Sequence, residues 1–167
     1  MAEDSPRPSR FAPASFQRPD LLVTIRVRPD RGAVVATVNG ELDLFTAPHL
    51  HDEVSGCFAG GLPHVGDVSD ARSAGSPAQV PQIVVFDLTG VTFLAAAGLR
   101  FIMAASMTAS DHGQLLRVVT GDKGNTRRML QITQLDTVLA LFPRVEDALE
   151  TDPNDTTPGY HSTPTQQ

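Results

Sequence analysis

A continuous apolar run, Ile83 to Phe86, limits the folds open to this chain more than any other segment. Within Gln82–Leu88 it reads as a strand buried on both faces, which is typical of a parallel sheet. Leu21–Arg28 instead alternates apolar and polar residues and predicts a half-buried strand. The Pro29–Gly32 turn then leads into Ala33–Val38, so the chain is predicted to begin with a β-hairpin.

Helical periodicity fills the intervals between later strands. One helix is predicted from the N-cap Thr46 to about Phe58, and another from Ala95 to about His112, closed by Gly113. The second helix has an apolar stripe at Leu99, Ile102, Met103 and Ser106. The other predicted elements are a turn at Asp87–Gly90 that continues into Val91–Leu94, strands at Leu115–Val119 and Val138–Phe142, and helices at Thr126–Gln131 and Arg144–Glu150.

The resulting order, β-β-α-β-α-β-α-β-α, predicts an α/β fold with a mostly parallel sheet and an antiparallel hairpin at its start. The folded part is expected to span residues 21–150. Residues 1–20 and 151–167 are rich in proline and lack a hydrophobic period, so both are predicted to be disordered tails. Residues 60–81 are rich in Gly, Ser, Pro and Asp and are predicted to be a flexible insertion or a functional arm.

Composition excludes several functional classes. The 167 residues carry 13 Lys+Arg against 19 Asp+Glu, with no Trp and one Tyr, which argues against nucleic-acid binding. Cys57 is the single cysteine and can form neither an internal disulfide nor a Cys-rich zinc site. No apolar run reaches the roughly 18 residues of a membrane span, and no secretory signal is visible. We therefore expect a cytoplasmic protein without membrane contact.

No enzyme motif is present, so we expect neither catalysis nor a cofactor or metal. The loop Gly121–Asn125 could cradle a phosphate, but an ordinary βα turn capped by Asn125 or Thr126 is favoured. His49 and Glu53 share a helix face, although two ligands do not make a metal site. Cys57 is expected to be a buried, inert thiol. A charged surface, either solvated or facing a partner, comprises Asp122, Lys123, Arg127 and Arg128.

In Val91–Arg100 a strand leads directly into a helix that begins with three alanines and a glycine. Small residues there would let another surface approach closely, and the free N–H groups would favour an anion. Alternatively, the alanines are simply good helix formers. Composition leaves both interpretations open.

Three segments together resemble a known family. Val84–Leu94 followed by Gly98-Leu99 resembles the central signature of STAS domains of the anti-sigma factor antagonist type. Gly40–Asp43 with Thr46-Ala47 resembles the family's second signature, and Leu141–Pro143 with Val145–Leu149 resembles its closing strand and helix. The resemblance covers about residues 21–150 apart from 60–81. It implies a STAS fold with helices mainly on one face of the sheet.

The resemblance also implies a role in transcription regulation, through bacterial stress or sporulation signalling. Such proteins bind an anti-sigma factor, typically a serine kinase of the histidine-kinase-like ATPase fold, and so free a sigma factor. The kinase reverses this by phosphorylating a serine in an Asp-Ser-Ser/Thr-Gly motif, which adds charge to the interface. The resemblance gives this chain protein–protein interaction without catalysis.

This chain departs from that motif. Ala95 replaces the aspartate, Ala96 the phosphorylated serine and Ala97 the next hydroxyl residue, whereas Gly98 and Asp43 are kept. The sequence is equally compatible with a natural and an engineered origin of the three alanines. We expect an antagonist without the phosphoserine switch, regulated by abundance, by residues 60–81 or by the tails.

The alternatives are a STAS module in a signalling scaffold and a small-ligand or nucleotide sensor, with or without weak homodimerisation. Thr89, Thr92 and Ser106 are the hydroxyl residues nearby, and a strand position would make Thr92 a poor kinase substrate. The predicted contact face comprises Glu41, Asp43, Phe45, Thr46, Ala95, Ala96, Ala97, Gly98, Leu99 and Arg100. Asp43 is expected to pair with a basic group of the partner.

Overall fold

The structure, a computed structural model, describes residues 22–28, 31–58 and 82–152. Within these ranges the strands are β1 (Leu22–Arg28), β2 (Ala33–Leu42), β3 (Ile83–Leu94), β4 (Leu115–Val119) and β5 (Ala140–Phe142). The α-helices are α1 (Ala47–Phe58), α2 (Ala96–Asp111), α3 (Asn125–Ile132) and α4 (Val145–Glu150). A 3₁₀ turn at Leu135–Thr137 delays the start of β5, which was predicted at Val138.

The strands form one sheet in the order β1-β2-β3-β4-β5. β1 and β2 are antiparallel, and every later pair is parallel. The predicted element order and the α/β architecture with an N-terminal hairpin are therefore confirmed. The run Ile83–Phe86 is buried on both faces: Val84 and Phe86 belong to one core cluster, Ile83 and Val85 to another.

The turn predicted at Asp87–Gly90 is wrong, because β3 continues through it to Leu94. The parallel ladder with β2 absorbs these residues through register shifts at Thr37/Asn39 and at Gly40/Glu41. The Asp87 carboxylate still accepts a bond from the Thr89 N–H, at 3.1 Å. Residues that are typical of a turn therefore form an irregularity within β3 and do not reverse the chain.

The central strands extend past their neighbours. β1 pairs with β2 only as far as Asn39, and β4 pairs with β3 only as far as Asp87. Beyond these points, residues 40–42 of β2 and 91–94 of β3 pair with each other alone. We call this two-stranded projection the β2–β3 extension, and it leads directly into α1 and α2.

Helices α1, α2 and α3 pack on one face of the sheet, and α4 packs on the other. The predicted α2 stripe is only half correct: Met103 and Ser106 are half-buried, while Ala105 and Ala109 are buried instead. Small alanine side chains on this face let the helix lie close to the sheet. The positions of the larger side chains were therefore not enough to predict which face of α2 is buried. The predicted placement of the helices mainly on one face is confirmed.

Arg117, in the middle of β4, is completely buried. Its guanidinium lies 5.6 Å from the Phe142 ring centroid and donates hydrogen bonds to the carbonyls of Ala148 and Asp152. Burial lowers the pKa of Arg117, and the negative charge of Asp152 opposes that effect. This side chain therefore ties α4 and the residues after it to the sheet.

The predicted tail 1–20 and the predicted insertion 60–81 lie outside the described residues. The same holds for the second predicted tail, 151–167, except for its first two residues. The N–H and the hydroxyl of Thr151 donate to the Asp147 carbonyl, and Asp152 contacts Arg117. None of the helices described is long and apolar enough to cross a membrane.

Candidate functional site

The turn between β2 and α1 is held by a compact set of hydrogen bonds. One Asp43 carboxylate oxygen accepts from the Phe45 N–H at 2.8 Å and from the Thr46 N–H at 3.0 Å. The Thr46 hydroxyl donates to the same oxygen at 3.1 Å and accepts from the Asp43 N–H at 2.8 Å. Thr46 precedes α1 as predicted, but its hydroxyl bonds back to Asp43.

These bonds have an electrostatic signature. The pKa of Asp43 lies below its ordinary value of 3.8, chiefly because the Thr46 N–H donates to the ionised carboxylate. The Phe45 N–H and the Thr46 hydroxyl add to that effect. The turn leaves the side chains of Leu44 and Phe45 65% exposed. Asp43 therefore has a structural task, to fix the turn that presents two large apolar side chains.

The start of α2 is built differently. Ala95 is its N-cap in extended conformation, with φ −91° and ψ 172°, and makes no side-chain cap hydrogen bond. Its N–H instead donates to the Leu42 carbonyl at 2.9 Å, and its own carbonyl accepts from the Leu99 N–H at 3.1 Å. Ala96 is exposed and Ala97 is half-buried. The start of this helix is therefore joined to the β2–β3 extension by a backbone hydrogen bond rather than by a side-chain cap.

Gly98 brings α2 against the same projection. A Cβ at this position would lie 2.7 Å from Leu42 Cγ, 2.7 Å from Leu94 Cδ1 and 2.8 Å from the Leu42 carbonyl oxygen. Those distances are too short for any side chain, so the close approach requires glycine. The two segments predicted to form one surface are thus held together at one end of the sheet.

The ten predicted contact residues differ in accessibility. Glu41, Phe45, Ala96 and Arg100 are exposed, whereas Asp43, Ala95 and Ala97 are half-buried. Thr46, Gly98 and Leu99 are buried and underlie this surface. The structure therefore divides the predicted face into four exposed residues and a supporting layer.

Two exposed apolar residues at this end were missed. Phe93 is 51% exposed and pairs across the ladder with Glu41, and Leu44 precedes Phe45 in the turn. We call Leu44, Phe45 and Phe93 the apolar rim. Phe93 carried a usable signal, since the burial of its neighbour Leu94 turns Phe93 to the opposite face of a strand. The hydroxyl of the nearby Thr92 donates to the Gly40 carbonyl at 3.2 Å.

The loop Gly121–Asn125 is a βα turn, but the predicted cap is wrong. The N-cap of α3 is Gly124, without a side-chain hydrogen bond. The Thr126 hydroxyl instead donates to the Val91 carbonyl at 3.5 Å. In the charged surface predicted beside it, Asp122, Lys123 and Arg128 are exposed, whereas Arg127 is half-buried and donates to the Gly121 carbonyl at 3.5 Å.

Cys57 is buried, and burial raises the pKa of its thiol to about 11. The predicted burial of the thiol is therefore confirmed, and the raised pKa favours its protonated form. His49 and Glu53 are both exposed on α1. Within the part of the chain that the structure describes, no group of three or more His, Cys, Asp or Glu residues could hold a metal ion.

Comparison with known proteins identifies the family of this chain. The family model for the STAS domain matches residues 24–148. The chain is 30% identical over 128 residues to the anti-sigma-F factor antagonist RsfB of Mycobacterium tuberculosis, covering 76% of this chain and 87% of that protein. The chain belongs to the STAS domain family. These relatives are regulatory binding proteins rather than enzymes.

Solved structures show the same fold. An anti-sigma factor antagonist from Mycobacterium paratuberculosis superposes with a TM-score of 0.60 at 26% identity, over 78% of this chain and 92% of that one. The phosphorylated form of SpoIIAA from Bacillus superposes with a TM-score of 0.50 at 14% identity, over 78% and 97% respectively. The resemblance inferred from the three sequence segments is therefore confirmed.

Proposed function

We propose that this protein is an anti-sigma factor antagonist that binds its partner at the end of the β2–β3 extension. The observation that carries the proposal is the junction of the two signature segments there. The Ala95 N–H donates to the Leu42 carbonyl, and Gly98 packs against Leu42. The similarity to antagonists of anti-sigma factors supplies the kind of partner.

The chemistry of this surface suits a protein partner. The apolar rim exposes three large side chains beside the charged residues Glu41 and Arg100. Interfaces commonly combine an apolar centre with a polar border. At Ala96 a single methyl group lets the partner's backbone approach, and the free N–H groups of the first helical turn remain accessible to it.

We propose further that the usual phosphoserine switch is lost. Ala96 occupies the serine position of the family motif and has no oxygen to accept a phosphoryl group. Thr92 is exposed, but it lies in β3, whose backbone is paired with β2, so access for a kinase is poor. The partner, proposed to be a serine kinase of the histidine-kinase-like ATPase fold, would therefore be bound whether or not ATP is present.

The first test is an affinity pull-down from host cytosol with the full chain, with and without ATP, followed by mass spectrometry. Recovery of an anti-sigma ATPase together with an unphosphorylated bait supports the proposal. Recovery of receptor or scaffold components alone would overturn it in favour of a signalling module. Phosphate on the bait would overturn the loss of the switch.

Variants then locate the surface on the recovered partner. Ala96→Glu should weaken binding at least tenfold, because a charge without a partner is costly in a buried interface. Phe93→Ser should also weaken binding. Met107→Ser is the matched control, since Met107 is 66% exposed on α2 outside the surface. Equal binding by wild type and Ala96→Glu would exclude this contact face.

A further inference from the structure

A cleft lies between α1 and α2, outside the proposed partner surface. The cleft has a volume of about 160 Å³. α1 contributes His51, Val54, Ser55 and Phe58. α2 contributes Phe101, Ala104, Ala105 and Thr108, and its C-cap His112 completes the lining. The room exists because Ser55, Ala104 and Ala105 are small where the two helices face each other.

The apolar wall of the cleft is aromatic. Phe58 meets Phe86 edge to face, with centroids 6.1 Å apart and planes at 71°. Phe101 stacks on Phe86, with centroids 5.9 Å apart and planes at 10°. Phe86 is completely buried in β3 and holds both rings in position. A planar ring entering the cleft would therefore meet rings that already have defined orientations.

The polar rim of the cleft offers acceptor atoms. The Ser55 hydroxyl donates to the Asp52 carbonyl at 2.9 Å, and the Thr108 hydroxyl donates to the Ala104 carbonyl at 3.0 Å. Both hydroxyl hydrogens are therefore committed within their own helices, while the oxygens retain lone pairs. His112 Nδ1 lies 2.8 Å from the Thr108 carbonyl, which can only accept. Nδ1 therefore carries hydrogen, and Nε2 of the neutral ring is an acceptor.

We propose that this cleft binds a single-ring aromatic molecule that carries an O–H or N–H donor, such as a phenol. The volume agrees with one ring, since an apolar cavity of about 150 Å³ accommodates benzene. The acceptor-rich rim selects for a donor on that ring. This site is separate from the proposed antagonism and does not depend on it.

The test is a titration of the isotope-labelled full chain with phenol, followed by backbone amide NMR. We expect saturable shifts centred on residues 51–58 and 101–112, with a Kd in the low-millimolar range for so small a ligand. Fluorobenzene has nearly the same shape but no donor and should bind at least threefold more weakly. Equal binding of the two compounds would show that the acceptor atoms of Ser55, Thr108 and His112 do not select for a donor on the ring.

Two variants on one helix control for position. Ala104→Phe places a ring in the cleft and should abolish the phenol shifts, while Met107→Phe adds the same ring elsewhere on α2 and should leave them unchanged. Both variants are first compared with wild type by urea unfolding. Absence of saturable shifts in wild type, or their persistence in Ala104→Phe, would overturn the proposal. Shifts of the same residues that depend on protein concentration alone would show a second copy in the cleft and would overturn it as well.

Discussion

The starts of α1 and α2 lie at the same end of the sheet and are stabilised in opposite ways. At α1, Asp43, Phe45 and Thr46 make four hydrogen bonds that involve side chains. At α2, the N-cap Ala95 makes no side-chain bond, and the helix is held by a backbone bond and by close packing at Gly98. The start of α1 is held by side-chain hydrogen bonds. The start of α2 is held by one backbone hydrogen bond and by packing at Gly98.

The difference has a physical consequence for the proposed surface. Polar caps would occupy the N–H groups of the first turn of α2, whereas alanines leave these groups to solvent or a partner. The Leu42 carbonyl that accepts from the Ala95 N–H belongs to β2, the strand that leads into the turn held by Asp43. Stability and accessibility are thus divided between two adjacent helix starts.

Gly98→Ala should produce the largest effect, because its Cβ would overlap backbone as well as side-chain atoms. We expect a loss of about 2 to 3 kcal/mol in the free energy of unfolding, measured by urea denaturation. Gly113→Ala is the control: Gly113 has φ +67° but open space around it. That change should cost about 1 kcal/mol. Equal losses would mean that close packing does not hold α2.

Thr46→Val should come next. Thr46 is 1% exposed, and its hydroxyl makes two hydrogen bonds with Asp43. Replacing it leaves the Asp43 N–H without its acceptor, which should cost about 1 to 2 kcal/mol in urea denaturation. Thr46→Ser keeps the hydroxyl and should recover most of that loss. A Val variant as stable as wild type would show that the hydrogen bonds of the hydroxyl do not fix the turn.

Asp43→Asn should have a smaller, pH-dependent effect. The folded pKa of Asp43 is lowered, so the carboxylate stabilises the fold fully above its ordinary value of 3.8. That contribution is lost as the pH falls through the lower, folded value. The difference in urea midpoint between wild type and Asp43→Asn should therefore be largest near pH 7 and shrink below pH 3.8. A difference that is constant with pH would exclude the charge as its cause.

Ala95→Asp should give the smallest change and the opposite sign. Ala95 has the extended conformation of an N-cap, so a carboxylate there can accept from the first turn of α2. We expect a gain of about 0.5 to 1 kcal/mol in the same measurement. Ala95→Asn separates the cap bond from the charge. If neither variant is more stable than wild type, the bare start of α2 is not a site of unmet hydrogen bonding.

Local patterns were enough to predict the element order, because strand alternation and helix periodicity are written over a few residues. They failed at Asp87–Gly90, where residues typical of a turn lie in an irregular ladder whose partner strand is some fifty residues earlier. They were also silent on Arg117, whose acceptors lie 31 and 35 residues further along the chain. Features that depend on contacts between residues far apart in the sequence could not be predicted from short sequence segments.

The site shows the same limit. The family resemblance alone predicted that Asp43 and Ala96 share one surface, but it assigned Asp43 only a role toward a partner. Asp43 bonds to Thr46, three residues later in the chain. Aspartate side chains commonly accept from backbone N–H groups at such short spacings, so the sequence could have predicted this bond. Phe93 was not included in the predicted face, although strand alternation around Leu94 could have placed it on the opposite, exposed face.

The buried Arg117 also has a consequence for the order in which the protein can be completed during synthesis. Its acceptors, the carbonyls of Ala148 and Asp152, lie in α4 and just after it, 31 and 35 residues beyond Arg117. A nascent chain that has emerged only as far as β5 would have to bury a guanidinium without these acceptors, or leave that face of the sheet unfinished. We therefore expect vectorial folding to complete this face of the sheet only after Asp152 has left the ribosome.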